Sequence, residues 1–573
     1  MAPSIQAASV VDGHEMVTKA DGSSTLQVAA DGADTSEKFA PSMWGDFFVT
    51  YVPPISQHRS EDWMRERAEQ LKGQVRRAFK GSKDAMTIAD ALTYVDTLER
   101  LGIDNHFREE IEEALNLFHA EQAETDGSNS LHITALKFRI LRQHGLWVSE
   151  DVFDKFREGQ GSFSESLGCD PRDLLSLYNA AHMATPGEVA LDGAIAFARG
   201  HLEAIKGNVG SPIAEKISRT LDIPLPRFTR RIETMHYIDE YEQEGVYDGM
   251  LLELSRLNFN LVRILHLKEL KDLSLWWRDL YETVKLPYAR DRMVEIYFWT
   301  CGMLHEEEYS RARILFAKVF GMVSLLDDTF DVHATLEECH RLNEAMQRWD
   351  EKAVSILPEY LHILYIETLS NFKEFEDALE PNHKYRMAFI KKAYKLSSEY
   401  YLREAVLSSK KYRPSFKEHE EISIMTSGLP MLTLVTLMGY GDVAKQEVFE
   451  WVDSVPGMVR AGSQVTRFLN DMSSYKLGKH KKDMPSAVEC YMMENDSTGD
   501  EAMVAVAALL ENRWRILNQV TMGIDRVLLP AAEVVVNMAR TNEIIYLKGR
   551  DAYTYGSDLK DLVTALFLNP VPF

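Results

Sequence analysis

Apolar residues recur along the chain at the spacing of α-helices, and the alternation expected of β-strands is scarce. In residues 131–146, for example, apolar residues at i, i+3, i+7 and i+8 share one helical face: Ile133, Leu136, Ile140 and Leu141. Dipeptides that break helices, such as Ser-Pro, Pro-Gly and Asp-Pro, separate segments of helix length. No repeat of about 30–50 residues is evident, so a solenoid is disfavoured. The pattern predicts an all-α protein.

The polar pattern also predicts how the 573 residues divide. A polar, acid-rich stretch at residues 237–248 is followed by the apolar segment LLELSRLNFNLV. We therefore expect a domain boundary near residue 248 and two helical domains, residues 39–247 and 248–573. Residues 1–38 are small, polar and acidic and contain no aromatic residue, which predicts a disordered tail.

Charge and cysteine content narrow the classes of function. The chain has 64 Lys and Arg against 88 Asp and Glu, a net charge of −24. Such a chain repels nucleic acid and anionic membrane surfaces, so we expect neither as a partner. The cysteines form no CxxC pair, which disfavours a thiolate zinc cluster and a disulfide scaffold: Cys169, Cys301, Cys339 and Cys490.

The N-terminal composition predicts the subcellular location. The first arginine is Arg59, whereas organelle transit peptides are rich in Arg and poor in acids. No signal peptide is recognisable, and the longest strictly apolar run, residues 502–510, is too short to span a membrane. The sequence predicts a cytoplasmic protein.

The sharpest chemical feature is the acidic segment DDTFD at residues 327–331. A buried helix is predicted over residues 314–326, and the capping box of Thr335 and Glu338 starts the next helix, so the acids fall in a last helical turn. Acids are unfavourable at a helix C-terminus unless cations neutralise them. Asp327 and Asp331 share a helical face and suit a hard cation such as Mg²⁺. The alternative is a solvated acidic helix end. A haloacid-type phosphatase is excluded because the preceding segment is helical.

A second polar site follows the same logic. Asn470 and Ser474 lie at i, i+4, and one oxygen from each could bind a further hard cation. Position 478 continues that face, but Gly478 offers no side-chain ligand and suits a helix C′ position. The basic loop Lys479–Lys482 follows. The alternative is an ordinary helix end beside a solvated loop.

Paired arginines and scattered aromatic residues complete the pattern. Arg290 and Arg292 could clamp a diphosphate, since each guanidinium donates two hydrogen bonds, or could form surface ion pairs. Aromatic faces stabilise cations, although each such residue could equally belong to the core. These candidates are Trp299, Tyr546, Tyr553 and Tyr555, with Asp551 nearby in the sequence.

Taken together, these segments resemble the plant class I terpene synthases from about residue 39 to the end. The matching segments occur in the family's order: PSMWGDFF (41–48), LLSLYNAA (174–181), GEVALDGA (187–194), LPYARDR (286–292), YFW (297–299), DDTFD (327–331), SAVECYM (486–492) and DAYTYGSDLKD (551–561). The resemblance implies a catalytic α-bundle of the class I terpenoid-synthase type, preceded by a non-catalytic α-barrel domain.

The resemblance also implies a set of metal ligands. Asp327, Asp328 and Asp331 match the aspartate-rich motif, whose first and last acids bridge two Mg²⁺ ions. Asn470, Ser474 and position 478 match the second motif, which holds a third Mg²⁺. We therefore expect three Mg²⁺ ions, with Mn²⁺ as a substitute. Gly478 replaces the usual glutamate and puts the third site in doubt.

Further roles follow from the same resemblance. Three arginines match residues that contact the diphosphate: Arg290, Arg292 and Arg467. Trp299 and Tyr546 match aromatics of the cation pocket, and Asp551 and Tyr553 match a C-terminal loop that closes it. Residues 426–428 fall at the family's helix break, and Ala552 stands where glycine is common.

The implied activity is that of a sesquiterpene synthase, a lyase. It would ionise farnesyl diphosphate with Mg²⁺, rearrange the cation, and end by deprotonation or water capture. The paired-arginine-plus-tryptophan signature of many monoterpene cyclases is absent, as is a DxDD motif, and the cytoplasmic address agrees with a C15 substrate. We expect a monomer whose product is a volatile of plant defence. The alternatives are a monoterpene synthase acting on geranyl diphosphate, a prenyl-chain elongase, and an inactive synthase-derived scaffold.

Overall fold

The computed structural model describes residues 39–52, 60–82, 86–120, 130–158, 162–478 and 484–573. The predicted disordered tail, residues 1–38, and the basic loop Lys479–Lys482 lie outside these residues. Helices dominate the described chain, and its strands form a single two-residue antiparallel pair, β1 (Arg157–Glu158) with β2 (Ser162–Phe163). The prediction of an all-α protein is confirmed.

The described residues of the first half of the chain form helices of 4 to 22 residues. They are α1 (Phe47–Thr50), α2 (Glu61–Ser82), α3 (Ile88–Arg100), α4 (Arg108–Ala120), α5 (Leu131–Gln143), α6 (Pro171–Ala181), α7 (Val189–Ile205), α8 (Ile213–Asp222) and α9 (Arg230–Glu242). Side chains of the predicted apolar faces enter the core: Leu136, Ile140 and Leu141 are at most 4% exposed. Helical periodicity is therefore a reliable guide to burial here.

The second half begins with the 36-residue helix α10 (Gly249–Val284), which Asp248 caps by accepting from two backbone amides. The following helices are α11 (Met293–Met303), α12 (Ser310–Asp328), α13 (Leu336–Arg348), α14 (Glu359–Asp377), α15 (Arg386–Ser409), α16 (Phe416–Thr426), α17 (Leu429–Met438), α18 (Gln446–Asp453), α19 (Gly457–Leu477), α20 (Ala487–Asn495), α21 (Gly499–Thr521), α22 (Leu529–Ile545) and α23 (Lys560–Val563). Helix α12 packs on α11 and α17, and α19 packs on α16, α20, α21 and α22.

Polar contacts join the two halves. Arg227 donates two hydrogen bonds of 2.6 Å to the carboxylate of Glu511 on α21. Asn518, which also lies on α21, donates to the backbone carbonyls of His182 and Ala184. Residues 38–573 accordingly form one compact unit.

One stretch of helix, Phe416–Met438, is long and apolar enough to cross a membrane by composition. Most of its most apolar window, 78%, is buried inside the protein. Gly428 has a positive φ of 73° and separates α16 from α17 within this stretch. The stretch is therefore a broken core helix, and the predicted break at residues 426–428 is confirmed.

Candidate active site

A cavity in the second half of the chain is polar at its rim and aromatic or apolar further in. Along α12, Phe316, Phe320 and Val323 precede Asp327, and along α22, Met538 precedes Tyr546, so the polar residues stand at the C-terminal ends of these helices. The rim includes the following predicted site residues: Arg290, Asp327, Asp328, Asp331, Arg467, Asn470, Ser474, Gly478, Tyr546, Asp551 and Tyr553. Trp299 lines the apolar part.

The aspartate-rich motif spans a change of helix type. Helix α12 continues past Asp328 as a π-helical turn, Thr329–His333, before the capping box of Thr335 and Glu338 starts α13. The predicted helix end near residue 333 and the predicted cap are both confirmed. A π-turn widens the helix locally and is frequent at functional sites. Asp327 and Asp331 both line the cavity, as their shared face predicted.

Asp328 is held differently from its neighbours. Its side chain is only 2% exposed, and its two oxygens accept from the backbone amide and the guanidinium of Arg290, at 2.7 Å each. Arg290 also donates to Asp327 Oδ2 at 2.9 Å. The prediction that Asp328 is a metal ligand is not supported, because its carboxylate is engaged by Arg290.

Burial changes the pKa of Asp327, at the C-terminal end of α12. It raises the pKa of Asp327 to about 7, and the negative charge of Asp328 acts in the same direction while Arg290 opposes both. A cation placed beside Asp327 would reverse this penalty by favouring the ionised form. The surroundings of Asp327 therefore favour the binding of a cation beside it.

Helix α19 carries the second motif. The amide of Asn470 donates to the hydroxyl of Tyr546 at 3.3 Å, which leaves Oδ1 available to a cation. Ser474 Oγ donates to the carbonyl of Asp471 at 3.2 Å and keeps its lone pairs for a cation. Both residues line the cavity, where their i, i+4 spacing placed them.

Asp471, between these two ligands, points into the protein. It accepts from Arg467 at 3.3 Å and from the backbone amide of Ala487 at 2.9 Å, and His419 Nε2 lies 3.2 Å away. Burial alone would raise its pKa, but Arg467 and His419 lower it to about 2. Asp471 therefore stays ionised and orients Arg467 at the cavity rim.

Gly478 ends the helix rather than extending its ligand face. Helix α19 stops at Leu477, and Gly478 has φ 79° and ψ 126°, a conformation that side-chain-bearing residues rarely adopt. The prediction that places position 478 among the metal residues is corrected to this extent: it is a helix terminus and supplies no side-chain ligand.

Arg292 does not face the cavity. Its guanidinium is buried and donates to four backbone carbonyls, those of Ala40, Asp291, Tyr553 and Thr554, at 2.8–3.1 Å. This position does not support the prediction that Arg292 contacts the diphosphate, because the residue does not line the cavity. Three of these hydrogen bonds tie the segment at residue 40 to the loop at residues 553–554.

The predicted aromatic pocket is present. Trp299 packs edge-on against Phe320 and Tyr553, with ring centroids 5.2 and 6.0 Å apart. The hydroxyl of Tyr553 donates to Ser324 Oγ at 2.6 Å, and Arg290 lies 4.8 Å from the centre of its ring. Asp551 accepts from the backbone amides of Tyr553 and Thr554 and so shapes the loop that carries both.

The cavity residues that the sequence did not single out include Glu404 and Asn542. Glu404 on α15 is buried, accepts from Thr426 Oγ1 at 2.7 Å, and has its pKa raised by burial. Asn542 lies on α22, four residues before Tyr546, and is fully buried. The i, i+4 spacing to Tyr546 was the available signal for Asn542, whereas Glu404 stands in an unremarkable amphipathic helix.

The donor set fits Mg²⁺ bound together with a phosphate-bearing ligand. Within the part of the chain that the structure describes, no three His, Cys, Asp or Glu residues come close enough to hold a metal by themselves. Mg²⁺ usually takes one or two carboxylates and completes its shell with water and substrate phosphate. Asp327, Asp331, Asn470 and Ser474 at one rim provide oxygens of that kind.

Comparison with known proteins agrees with this geometry. Residues 43–221 match the N-terminal domain model of the terpene synthases, and residues 278–516 match the metal-binding domain model of the same family. A relative named eudesmanediol synthase, from Zea mays, is 72% identical over 552 residues, 96% of this chain and 98% of the relative. This chain belongs to the terpene synthase family. It is a lyase that acts on a prenyl diphosphate through a metal-binding domain.

Two further terpene synthases place the chain within the family. Tau-cadinol synthase of Zea mays is 42% identical over 541 residues, 93% of this chain and 97% of the relative. The crystal structure of isoprene synthase from grey poplar, Populus x canescens, superposes with a TM-score of 0.82 at 30% identity. It covers 89% of this chain and 97% of its own, and it holds three Mg²⁺ ions and dimethylallyl-S-thiolodiphosphate.

Proposed function

We propose that this terpene synthase ionises farnesyl diphosphate and releases C15 terpenes, including an alcohol formed by water capture. The observation that carries the proposal is the division of one cavity into a rim of hard oxygen ligands and arginines and a wall of aromatic and apolar side chains. The first part suits a diphosphate and the second an extended hydrocarbon cation. The relatives named for an alcohol and a diol, tau-cadinol synthase and eudesmanediol synthase, support the product class.

Each rim residue receives a role by its position. Asp327 and Asp331 would hold Mg²⁺ on the α12 side, and Asn470 and Ser474 would hold a further ion on the α19 side. When bound, these ions neutralise the leaving diphosphate, a task worth several kcal/mol of barrier. Arg467, fixed by Asp471, would donate to the diphosphate oxygens.

Arg290 would take part from the opposite side of the rim. Its guanidinium already bridges Asp327 and Asp328, so its position is set before substrate arrives. Burial alone would lower its pKa, but Asp328, Tyr553 and Asp327 raise it well above the ordinary value, so the charge is permanent. Arg292 would act indirectly, by holding the loop that carries Tyr553 and Thr554.

The apolar wall would then guide the cation. The faces of Trp299 and Tyr553 offer electron density to a positive carbon, an attraction of about 0.5–2 kcal/mol each. Tyr546 stands between wall and rim with its hydroxyl bonded to Asn470. Asp551 would keep the closing loop in shape and so help exclude bulk water, which would quench the cation early.

The remaining parts of the proposal concern the whole chain. We place the boundary between a non-catalytic domain, residues 39–247, and the catalytic domain, residues 248–573, at Asp248, because that residue caps the long helix α10. The acid-rich, arginine-free start of the chain supports a cytoplasmic address. We further propose that the protein acts as a monomer.

The test is product analysis with three substrates. Purified protein with Mg²⁺ is incubated separately with C10, C15 and C20 prenyl diphosphates, and the products are separated by gas chromatography while released diphosphate is measured. We expect C15 hydrocarbons and alcohols with free diphosphate, and little conversion of the C20 substrate. Faster release from the C10 or C20 substrate would contradict the C15 assignment. Elongated diphosphates would indicate an elongase, and no release would indicate an inactive scaffold.

A further inference from the structure

One hydrogen-bond acceptor on a described residue that lines the cavity is buried and has no partner in the protein. It is the side-chain oxygen Oδ1 of Asn542, a residue that is 0% exposed and lines the cavity. A buried amide oxygen without a partner loses its hydrogen bonds to water and gains none in return, so such atoms are rare unless a ligand or ordered water binds to them. Because Asn542 lines the cavity, the atom marks a position in the cavity wall where a water or a ligand group could be bound.

The orientation of this amide is fixed by its neighbour. Asn542 Nδ2 donates to Thr466 Oγ1 at 2.7 Å, and Thr466 Oγ1 in turn donates its own proton to the carbonyl of Gly462 at 3.1 Å. With its proton committed to Gly462, the Thr466 hydroxyl can only accept from Asn542. The amino group of Asn542 must therefore face Thr466, and Oδ1 must be the unpartnered atom.

The hydrogen bond between Asn542 and Thr466 repeats the one between Asn470 and Tyr546. Asn470 and Tyr546 also bond across α19 and α22, and both pairs are separated by 76 residues in the chain. The two helices therefore run parallel and in register here. Four residues of helix span about 6 Å, so the Asn542 amide lies about 6 Å further along the helices than the pair of Asn470 and Tyr546.

The chemical type of this atom distinguishes it from the other unsatisfied groups of the wall. Trp299 Nε1 and Arg467 Nε are also buried without partners and also belong to residues that line the cavity, but both can only donate. Among the described residues that line the cavity, Asn542 Oδ1 is the one buried side-chain acceptor without a partner. An acceptor alone can hold a water by its proton and leave the water's lone pair directed at a cation.

We propose that Asn542 Oδ1 holds the water molecule that captures the terpenyl cation. In the capture step a lone pair of the water oxygen forms the C–O bond to the cationic carbon, and one O–H bond of the water breaks. The released proton passes to the diphosphate, the most basic group that the ionisation leaves in the cavity, so that cation, water and diphosphate give alcohol and protonated diphosphate. The carbonyl dipole of Asn542 stabilises the positive charge that develops on the water.

This inference rests on the proposed function and adds to it a residue that decides between alcohol and hydrocarbon. The experiment uses the full chain with farnesyl diphosphate, Mg²⁺ and water enriched in ¹⁸O. Alcohols and hydrocarbons are quantified by gas chromatography with mass detection. For Asn542→Leu, which keeps the volume and removes the acceptor, we expect the ratio of ¹⁸O-labelled alcohol to hydrocarbon to fall on the order of tenfold, the loss of one hydrogen bond.

Two further variants make the result specific. Thr466→Val keeps the Asn542 amide but removes the group that orients it, and we expect a smaller fall of the same ratio. Ser463→Ala removes another buried, unpartnered oxygen of α19 from a residue that does not line the cavity, and we expect an unchanged ratio. Because the readout is a product ratio, a general loss of stability or rate does not imitate the effect.

The outcomes separate this inference from the proposed function. An unchanged ratio in Asn542→Leu, or in Thr466→Val should the leucine variant not fold, would overturn the inference while C15 turnover stands. Wild-type protein that converts farnesyl diphosphate to hydrocarbons only would overturn it as well. Absence of diphosphate release from the wild type would instead contradict the proposed function.

Discussion

The two metal motifs at the cavity rim are organised alike but differ in charge. In each, the second member of an adjacent polar pair is buried and binds an arginine of the rim: Asp328 binds Arg290, and Asp471 binds Arg467. The buried acids therefore position cations of the protein. In this structure one member of each adjacent pair therefore lines the cavity with oxygens available to a cation, and the other holds an arginine.

The oxygen-bearing side chains that are left to bind a cation differ between the α12 side and the α19 side of the rim. The α12 side keeps two carboxylates, Asp327 and Asp331, whereas the α19 side keeps an amide and a hydroxyl, Asn470 and Ser474. Carboxylates bind Mg²⁺ with charge, and neutral oxygens bind it with dipoles alone. The comparison predicts a strong metal site on α12 and a weak, substrate-dependent site on α19.

The largest effect is expected from removing a carboxylate of α12. Asp327→Ala should lower diphosphate release from farnesyl diphosphate on the order of 1,000-fold, because the leaving group loses its metal partner. The fold should persist, because the acid stands at a helix C-terminus, where its charge is unfavourable. Activity and thermal unfolding by circular dichroism are measured together, with the exposed acid variant Glu337→Ala as control. Unfolding in proportion to lost activity would mean that Asp327 is structural.

A second prediction separates the buried acid from its neighbour. Asp328→Ala should lower the free energy of unfolding by about 3 kcal/mol, because Arg290 is left in a buried position without its main partner. Asp327→Ala should change it by less than about 1 kcal/mol. Denaturant titration of both variants measures the difference. Equal stabilities would show that the two acids play the same role and would remove the basis of the comparison.

On the α19 side we expect a change in metal requirement rather than a loss of activity. Ser474→Ala removes one neutral ligand and should raise the Mg²⁺ concentration for half-maximal rate on the order of tenfold. Saturating Mg²⁺ should largely restore the rate of the variant. The matched control is Ser473→Ala, since Ser473 Oγ donates to the carbonyls of Gly549 and Arg550 and not to the cavity. A similar shift in both variants would assign the effect to helix packing.

The smallest effect concerns Gly478. Because the helix ends at Leu477 and Gly478 has a positive φ, Gly478→Glu should cost about 1 kcal/mol of stability and leave the Mg²⁺ requirement unchanged or raised. Gly478→Ala serves as control, since it adds the same backbone strain without a carboxylate. If the glutamate variant alone needed less Mg²⁺, the helix would extend in solution and the α19 site would resemble the acidic one.

Much of the site could be predicted from sequence spacing. Asp327 with Asp331 and Asn470 with Ser474 lie at i, i+4, and local helix geometry is enough to bring each pair to one face. The capping box of Thr335 and Glu338 likewise depends only on residues three apart, and it is formed. Residues 426–428 break the helix because glycine there tolerates a positive φ.

The positions of Arg292 and Asp328 differ from what the sequence suggested, and both differences have the same cause. Arg292 was expected at the diphosphate, but it lies at the start of α11, where carbonyls from residue 40 and from residues 553–554 surround its guanidinium. Asp328 was expected to bind metal, but the loop before α11 brings Arg290 onto it. These partners are distant in the chain, so no local pattern could reveal them.

The sequence by itself determined the helices, their caps, the two polar motifs and the family. These features depend on periodicity and on contacts within a few residues, which are the same in any fold. Only the tertiary structure decided which polar groups face the cavity and which are satisfied inside the protein. Asn542 shows why: its amide matters because α19 and α22 lie parallel and in register, which commits its amino group to Thr466 and leaves its oxygen unpaired. Hydrogen-bond satisfaction belongs to the whole packed interior, and a residue's identity alone does not contain it.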